Sequence, residues 1–237
     1  MKAMILAAGL GTRFKPWTDS HPKALAQVNG KSLLERNILY LQQYGIYDVM
    51  LNVHHFAGQV LEAVQIHKGW GTSISFSDES GQLLETGGGL KKAAPYFDEG
   101  PFVLMNVDIL TDMDLRAMIG FHEKNKPLAT LAVMQRKSSR HFLFDNQGRL
   151  CGWRNAKTRE EIISLPGRAL HEKAFSGIHI ISPEIFPFIH RQGKFSMVDV
   201  YLEIAASHLI LGFDHTGSRL VDVGRPESVS VAENLFP

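Results

Sequence analysis

Eight residues near the start of the chain, Leu6-Ala7-Ala8-Gly9-Leu10-Gly11-Thr12-Arg13, join small side chains, two glycines and an arginine directly after a short apolar run. Small residues let a main chain pass close to a ligand, and glycine reaches backbone angles that other residues avoid. Successive N–H groups in such a loop form an anion-binding concavity. The planar fork of Arg13 suits phosphate oxygens. Together these types describe a polyphosphate cradle at the C-terminal end of a strand, where open α/β sheets bind ligands. Two better-known phosphate loops do not fit. The dinucleotide fingerprint needs G-x-G-x-x-G, and here Gly9-x-Gly11 is followed by Phe14; the Walker loop needs a lysine that is absent from this stretch. Taken alone, the same octapeptide also suits a plain strand-to-turn connection.

Acidic residues supply the second kind of chemistry. Asn106-Val107-Asp108 follows the apolar run Pro101–Met105. An aspartate just past a buried strand is well placed to hold a hard cation, because Mg²⁺ takes oxygen ligands and keeps several waters. A turn or helix-capping aspartate is the competing local reading, and it is the role expected of Asp112 and Asp114. Val221-Asp222-Val223-Gly224, before Pro226, reads locally as a strand end and a turn. Leu84-Glu85-Thr86-Gly87-Gly88-Gly89 reads locally as the entry to a helix, and Lys23 by itself as a solvated surface lysine.

The order of these segments resembles one family. Leu6–Arg13 followed by Pro22-Lys23 is similar to the signature of the sugar-1-phosphate nucleotidyltransferases, and the later segments fall in the expected order over nearly the whole chain. The resemblance implies a Rossmann-like core with a smaller sugar-binding lobe. It implies transfer of a nucleoside monophosphate from a nucleoside triphosphate (NTP) to a sugar 1-phosphate, with release of pyrophosphate and with Mg²⁺ as cofactor. Leu6, Ala7, Ala8, Gly9, Gly11, Thr12 and Arg13 are then expected to hold the triphosphate, and Thr86 and Gly87 to sit beside the base. Glu85, Asn106, Ser176 and Gly177 are expected on the sugar, Asp108 and Asp222 on the metal, and Arg13 and Lys23 as the catalytic cations. The nucleophile is already anionic, so positioning and electrostatic stabilisation carry the catalysis and no general base is required. Val107 stands where the family usually has glycine. Glu172-Lys173-Ala174 lacks the proline of the family's E-K-P segment, so no catalytic role is assigned to Lys173.

The compact length, Glu85–Gly89 and Phe175–Ile178 most resemble the bacterial N-acetylmuramate-1-phosphate uridylyltransferases. UTP and a sugar 1-phosphate are therefore the expected partners. Heptose- and mannose-1-phosphate guanylyltransferases are the near alternatives. An inactive nucleotide-sugar-binding regulator is a reading of another class; the presence of Arg13, Lys23, Asp108 and Asp222 together favours activity. A nicotinamide oxidoreductase is disfavoured by the loop spacing and by Asn52-Val53-His54, where an acidic residue would be needed. His54 and His55 are adjacent and diverge, a poor metal pair. Trp17 reads either as part of a lid over the triphosphate or as core.

The elements that position these residues alternate through the first half. Lys2–Ala7, Asp48–Val53, Ser73–Ser77, Pro101–Met105 and Leu128–Met134 read as strands, and 33–41 and Phe56–Ile66 as helices, with Ser32-Leu33-Leu34-Glu35 as a capping box. Such alternation gives an α/β fold with a mostly parallel mixed sheet and helices on both faces. Phe142–Phe144 and Leu150–Trp153 flank Asn146-Gln147-Gly148 as a hairpin. Residues 155–171 read as a polar loop, Phe175–Ile181 and Arg219–Val223 as strands, and segments starting at Ser182, Val198 and Pro226 as helices. The expected division is one domain, residues 1–237, with 1–135 the nucleotide-binding core and 136–237 the sugar-binding lobe and the return to the core. Composition sets the class. With 25 Lys and Arg against 24 Asp and Glu, no broad nucleic-acid surface is expected. The one cysteine, Cys151, makes neither an internal disulfide nor a zinc cluster. The first residues lack a signal-peptide pattern and no run approaches a membrane span. A cytoplasmic protein without membrane or nucleic-acid partners is the expectation.

Overall fold

The computed structural model describes all 237 residues. The first strand, β1 (Ala3–Leu6), is buried on every residue, as a central parallel strand must be. Three 3₁₀ turns and a small hairpin of β2 (Gln27–Val28) and β3 (Lys31–Ser32) lead to α1 (Leu33–Gln43). Ser32 caps that helix by accepting the Glu35 amide at 3.1 Å, as the capping box predicts. Then follow β4 (Asp48–Val53), α2 (Ala57–Ile66), β5 (Ser73–Asp78), α3 (Glu85–Ala93), β6 (Phe102–Asn106), β7 (Ile109–Thr111), α4 (Leu115–Asn125) and β8 (Ala129–Met134). The second half contributes β9 (Arg140–Phe144), β10 (Leu150–Asn155), β11 (Glu160–Ile163), β12 (His171–Ile181), α5 (Met197–Ile204), β13 (Ile210–Asp214), β14 (Leu220–Asp222) and α6 (Glu227–Leu235).

Seven strands build the central sheet, and four of its six pairings are parallel: β5 with β4, β4 with β1, β1 with β6, and β8 with β13. β12 enters antiparallel between β6 and β8. Its N-terminal half leaves this sheet and pairs with β9, which carries β10 and β11 in an antiparallel flap. Alternate residues of β1 face opposite layers. Ala3 and Ile5 join α1, α2, α4 and α6 in one core; Met4 and Leu6 join α3 and α5 in the other. The parallel strands thus end together, and β1, β4 and β6 finish at Leu6, Val53 and Asn106 along one edge.

Some expectations are corrected. Residues 155–171 are not all loop, because Glu160–Ile163 pairs as an edge strand with Gly152–Asn155. All four of its residues are exposed, so no alternation of side chains marks it in the sequence. The segment after Ser182 is a single 3₁₀ stretch, Pro183–Phe188. Ser182 does not cap it; its hydroxyl donates to the Pro127 carbonyl at 3.0 Å. The helix α4 and the strand β13 were not apparent from the sequence. Asp114 does cap α4, accepting the amides of Arg116 and Ala117.

The three glycines of Glu85–Gly89 have packing reasons. A Cβ on Gly87 would strike the Phe195 ring, and one on Gly88 would strike the Gly193 carbonyl oxygen. A Cβ on Gly89 would lie 2.5 Å from a Glu79 carboxylate oxygen. The start of α3 is therefore pressed against the 193–197 segment, with Gly87 N–H donating to Phe195 O at 2.9 Å and Phe195 N–H to Leu84 O at 3.2 Å. Gly88→Ala is expected to lower unfolding stability by about 1–3 kcal/mol through overpacking. Urea denaturation of the two proteins checks this, and an unchanged midpoint contradicts it.

Two buried histidines couple the core to pH. Ser182 spends its proton on Pro127, so His122 donates from Nε2 to Ser182 Oγ at 3.0 Å and accepts the Thr130 hydroxyl at Nδ1, 2.9 Å away. His122 is 1% exposed, and burial pushes its pKa down to about 4. Burial likewise lowers His179, which is bonded to the Tyr201 hydroxyl. The unfolded chain then binds protons that the folded chain refuses. Stability is full above about pH 6.5, the unfolded histidine value, and falls toward pH 4 by about 1.4 kcal/mol per unit per histidine. Denaturation midpoints between pH 7 and 4.5 should show this fall, with a smaller slope in His122→Gln.

Candidate active site

The edge where β1, β4 and β6 end opens into a cleft of about 390 Å³. Its floor is the loop after β1. Asn52, at the end of β4 and 2% exposed, accepts the Ala7 amide at 2.7 Å and the Ala8 amide at 3.3 Å through Oδ1. Its Nδ2 donates to Glu79 at 2.8 Å, and the second Glu79 oxygen accepts the Leu84 amide at 3.0 Å. This chain of bonds ties the loop to the start of α3. It also changes the cradle: the Ala7 and Ala8 amides are already satisfied. The amides of Gly9, Leu10 and Gly11 have no acceptor within the protein and remain for a ligand anion. Gly11 has φ +59°, and a Cβ there would sit 2.8 Å from the Thr18 methyl group, so the tight turn requires glycine.

Charged groups gather opposite this floor. Val223 N–H donates to Asp108 O at 2.8 Å, and Asp222 pairs with Ile109 across the β7–β14 ladder. These two contacts bring the distant aspartates side by side. The Lys23 ammonium forms an ion pair with Asp108 and its side chain is only 10% exposed, so it is no solvated surface lysine. Gly224 lies between Asp222 and Arg13: a Cβ there would be 2.7 Å from Asp222 Oδ1 and 3.1 Å from an Arg13 guanidinium nitrogen. Asp222 keeps contact with solvent in the open cleft. Crowding by protein still desolvates its carboxylate, and the Asp108 charge adds to this, so its pKa is raised; Lys23, Arg13 and Arg136 oppose the rise.

Of the expected residues, Leu6, Ala7, Ala8, Gly9, Gly11, Thr12, Arg13, Lys23, Glu85, Thr86, Asn106 and Asp108 line the cleft, and Asp222 borders it through Gly224. Three others stand behind the wall. Gly87 is packed under Phe195. Ser176 is fully buried, with its hydroxyl 2.7 Å from His215 Nε2. Gly177 has φ +75°, and a Cβ there would sit 2.7 Å from Ile109 Cγ1 and 3.0 Å from Asn106 Nδ2, so it leaves room for both. Glu85 has φ +61°, a left-handed backbone uncommon outside glycine and asparagine, and is 3.3 Å from Lys194. Thr86 accepts the Met197 amide at 2.9 Å.

Asn52, Leu83, Val107, Ser196 and Gly224 also line the cleft. Asn52 was visible only as a missing acid at a strand tip, and Gly224 as the end of a short motif. Nothing in the sequence marks Ser196, which caps α5. Lys173 instead pairs with Asp214 at 2.7 Å, outside the cleft. His54 bonds the Glu79 main chain, and Trp17 stacks on His21 with 37% of its surface exposed.

No group of three or more His, Cys, Asp or Glu side chains is placed to cage a metal. The pair Asp108 and Asp222 nevertheless fits magnesium, which is commonly held by one or two carboxylates plus substrate phosphates.

Over residues 2–228 the chain matches the Nucleotidyl transferase family. It is 32% identical over 230 residues, 94% of its length and 93% of the relative's, to the N-acetylmuramate alpha-1-phosphate uridylyltransferase of Neisseria meningitidis serogroup B. It is also 32% identical over 239 residues, 98% of its length and 95% of the relative's, to the protein of the same name from Caulobacter vibrioides. In fold it resembles HddC from Yersinia pseudotuberculosis, solved in complex with GMP-PN, with a TM-score of 0.81 over 100% of this chain and 99% of that one at 22% identity. Two independent matches, one of sequence over almost the full length and one of backbone, therefore meet on the same cleft-bearing fold, and the chain belongs to the nucleotidyl transferase family as a sugar-1-phosphate nucleotidyltransferase.

Proposed function

We propose that the chain transfers UMP from UTP to N-acetylmuramate 1-phosphate and releases pyrophosphate, with Mg²⁺ as cofactor. The observation that carries the chemistry is the meeting of unbonded loop amides, Arg13, Lys23, Asp108 and Asp222 in one cleft. The choice of uracil and of this sugar rests on two relatives, each 32% identical over nearly full length. A cytoplasmic place in cell-wall recycling goes with these substrates.

An oxygen of the sugar phosphate attacks the α-phosphorus of UTP, and the bond to the bridging oxygen of pyrophosphate breaks. The electron pair leaves with pyrophosphate. No proton need be removed from the nucleophile. The difficulty is the approach of two anions and the charge that collects on the leaving group. The Gly9–Gly11 amides cradle the triphosphate and Arg13 neutralises its β/γ end. Lys23, already drawn out of water beside Asp108, offers its ammonium to the α-phosphate. Held by Asp108 and Asp222, magnesium supplies positive charge for both phosphates. Glu85, Thr86 and Asn106 face the base and the sugar.

Purified protein with Mg²⁺, pyrophosphatase and a panel of triphosphates and sugar 1-phosphates tests this. Phosphate release should be fastest with UTP and N-acetylmuramate 1-phosphate. Preference for GTP with mannose or heptose 1-phosphate would overturn the substrate assignment, and release with no pair would overturn the activity. Asp108→Asn and Asp222→Asn should each slow turnover about 100-fold or more; near-normal rates would remove both from the metal site.

A further inference from the structure

Arg136 has no place in the chemistry above, yet its surroundings are those of a binding residue. It follows β8, and its neighbours are fixed by main-chain bonds. His215 N–H donates to Val133 O at 2.9 Å, and Gln135 N–H donates to the Thr216 hydroxyl at 2.8 Å. These bonds lay the 214–216 segment along the end of β8. The Arg136 guanidinium crosses to β12 and donates from Nη2 to Phe175 O at 2.8 Å. Phe175 begins the stretch whose next residues are Ser176, bonded to His215, and Gly177, packed on the Asn106 amide that lines the cleft. The same guanidinium is close enough to Asp222 for the two charges to act on one another.

Two nitrogens here are buried without a partner: Nε of Arg136 and Nδ1 of His215. Arg136 is half-buried, and a guanidinium nitrogen shielded from water without a partner is costly unless an oxyanion completes it. Arg136 makes no ion pair with a carboxylate within 4.0 Å, unlike Arg154, Arg168, Arg191 and Arg219. The arginine therefore stands against β12 and near Asp222, with unused donors.

We propose that Arg136 binds an oxyanion of the acceptor sugar 1-phosphate and so helps to set acceptor specificity. The inference rests on the sugar-1-phosphate reading of the cleft. Two groups of the acceptor share the required chemistry: the 1-phosphate, and a carboxylate carried on the sugar. Arg136 is a flat, two-pronged donor that suits either. The incoming oxyanion supplies what Phe175 O alone does not, and adds to the balance of charge that Asp222 gives.

Steady-state kinetics of Arg136→Gln and Arg136→Lys decide the matter, with N-acetylmuramate 1-phosphate and the carboxylate-free N-acetylglucosamine 1-phosphate as acceptors. Arg136→Gln should raise the acceptor KM about 10–100-fold, the loss of a charge-assisted hydrogen bond, and leave the KM for UTP within about twofold. Arg136→Lys should recover part of the loss. A rise confined to N-acetylmuramate 1-phosphate assigns the carboxylate; an equal rise for both acceptors assigns the 1-phosphate. An unchanged acceptor KM, or an equal rise in the KM for UTP together with a lowered melting temperature, overturns the proposal and leaves Arg136 structural. Wild-type protein that turns over neither acceptor nor any other sugar 1-phosphate overturns the functional reading, and this inference with it.

Discussion

Two like charges held side by side are the constraint around which the cleft is organised. Asp108 ends the segment after β6, and Asp222 ends β14. The β7–β14 ladder and the bond from Val223 to Asp108 hold their main chains together. Desolvation of the Asp222 carboxylate raises its proton affinity, and the neighbouring Asp108 charge adds to the rise. Three cations surround the pair: Lys23 paired to Asp108, Arg13 across Gly224, and Arg136 near Asp222. The arrangement is poised for a ligand set that brings both a divalent cation and phosphates. In the proposed reaction, anionic substrate would meet the cations and magnesium the carboxylates.

The parallel sheet explains why these groups converge. Four neighbouring strands run the same way, so the loops after β1, β4 and β6 emerge on one edge. The glycine loop after Leu6, Asn52 and Asp108 are those three exits. Asn52 then links two of them through main-chain amides, and Glu79 carries the link to α3. The glycines at the start of α3 let it press against the segment before α5. Replacing Gly87 or Gly88 would press on Phe195 or Gly193 and move a cleft wall without touching a charged group.

Much of this was legible. The buried strand, the glycine loop and the capped first helix each have a local cause, and each stands where its residues predict. Arg13 and Asp108 were marked by the strands before them, and Lys23 only by its place after Pro22 in the family resemblance. Less visible was anything decided by distant partners. The exposed strand Glu160–Ile163 is held by main-chain pairing with β10 and one ion pair, Arg154 with Glu161, so its side chains carry no alternating pattern. The glycines of Glu85–Gly89 look like ligand-contact residues, whereas Gly87 and Gly88 are small because Phe195 and Gly193 lie against them. Ser176 belongs to a family-like strand but turns inward to His215. Asn52 and Ser196 line the cleft without any motif, because their neighbours come from other loops.

The central claim is that the paired aspartates exist to take a divalent cation together with the nucleotide. Calorimetric titration of Mg²⁺ into protein saturated with a non-hydrolysable UTP analogue tests it most directly, with wild type compared against the Asp108→Asn, Asp222→Asn double variant. The account predicts that the double variant loses at least about tenfold in magnesium affinity while still binding the analogue through the loop. Equal magnesium affinity in the two proteins would contradict it.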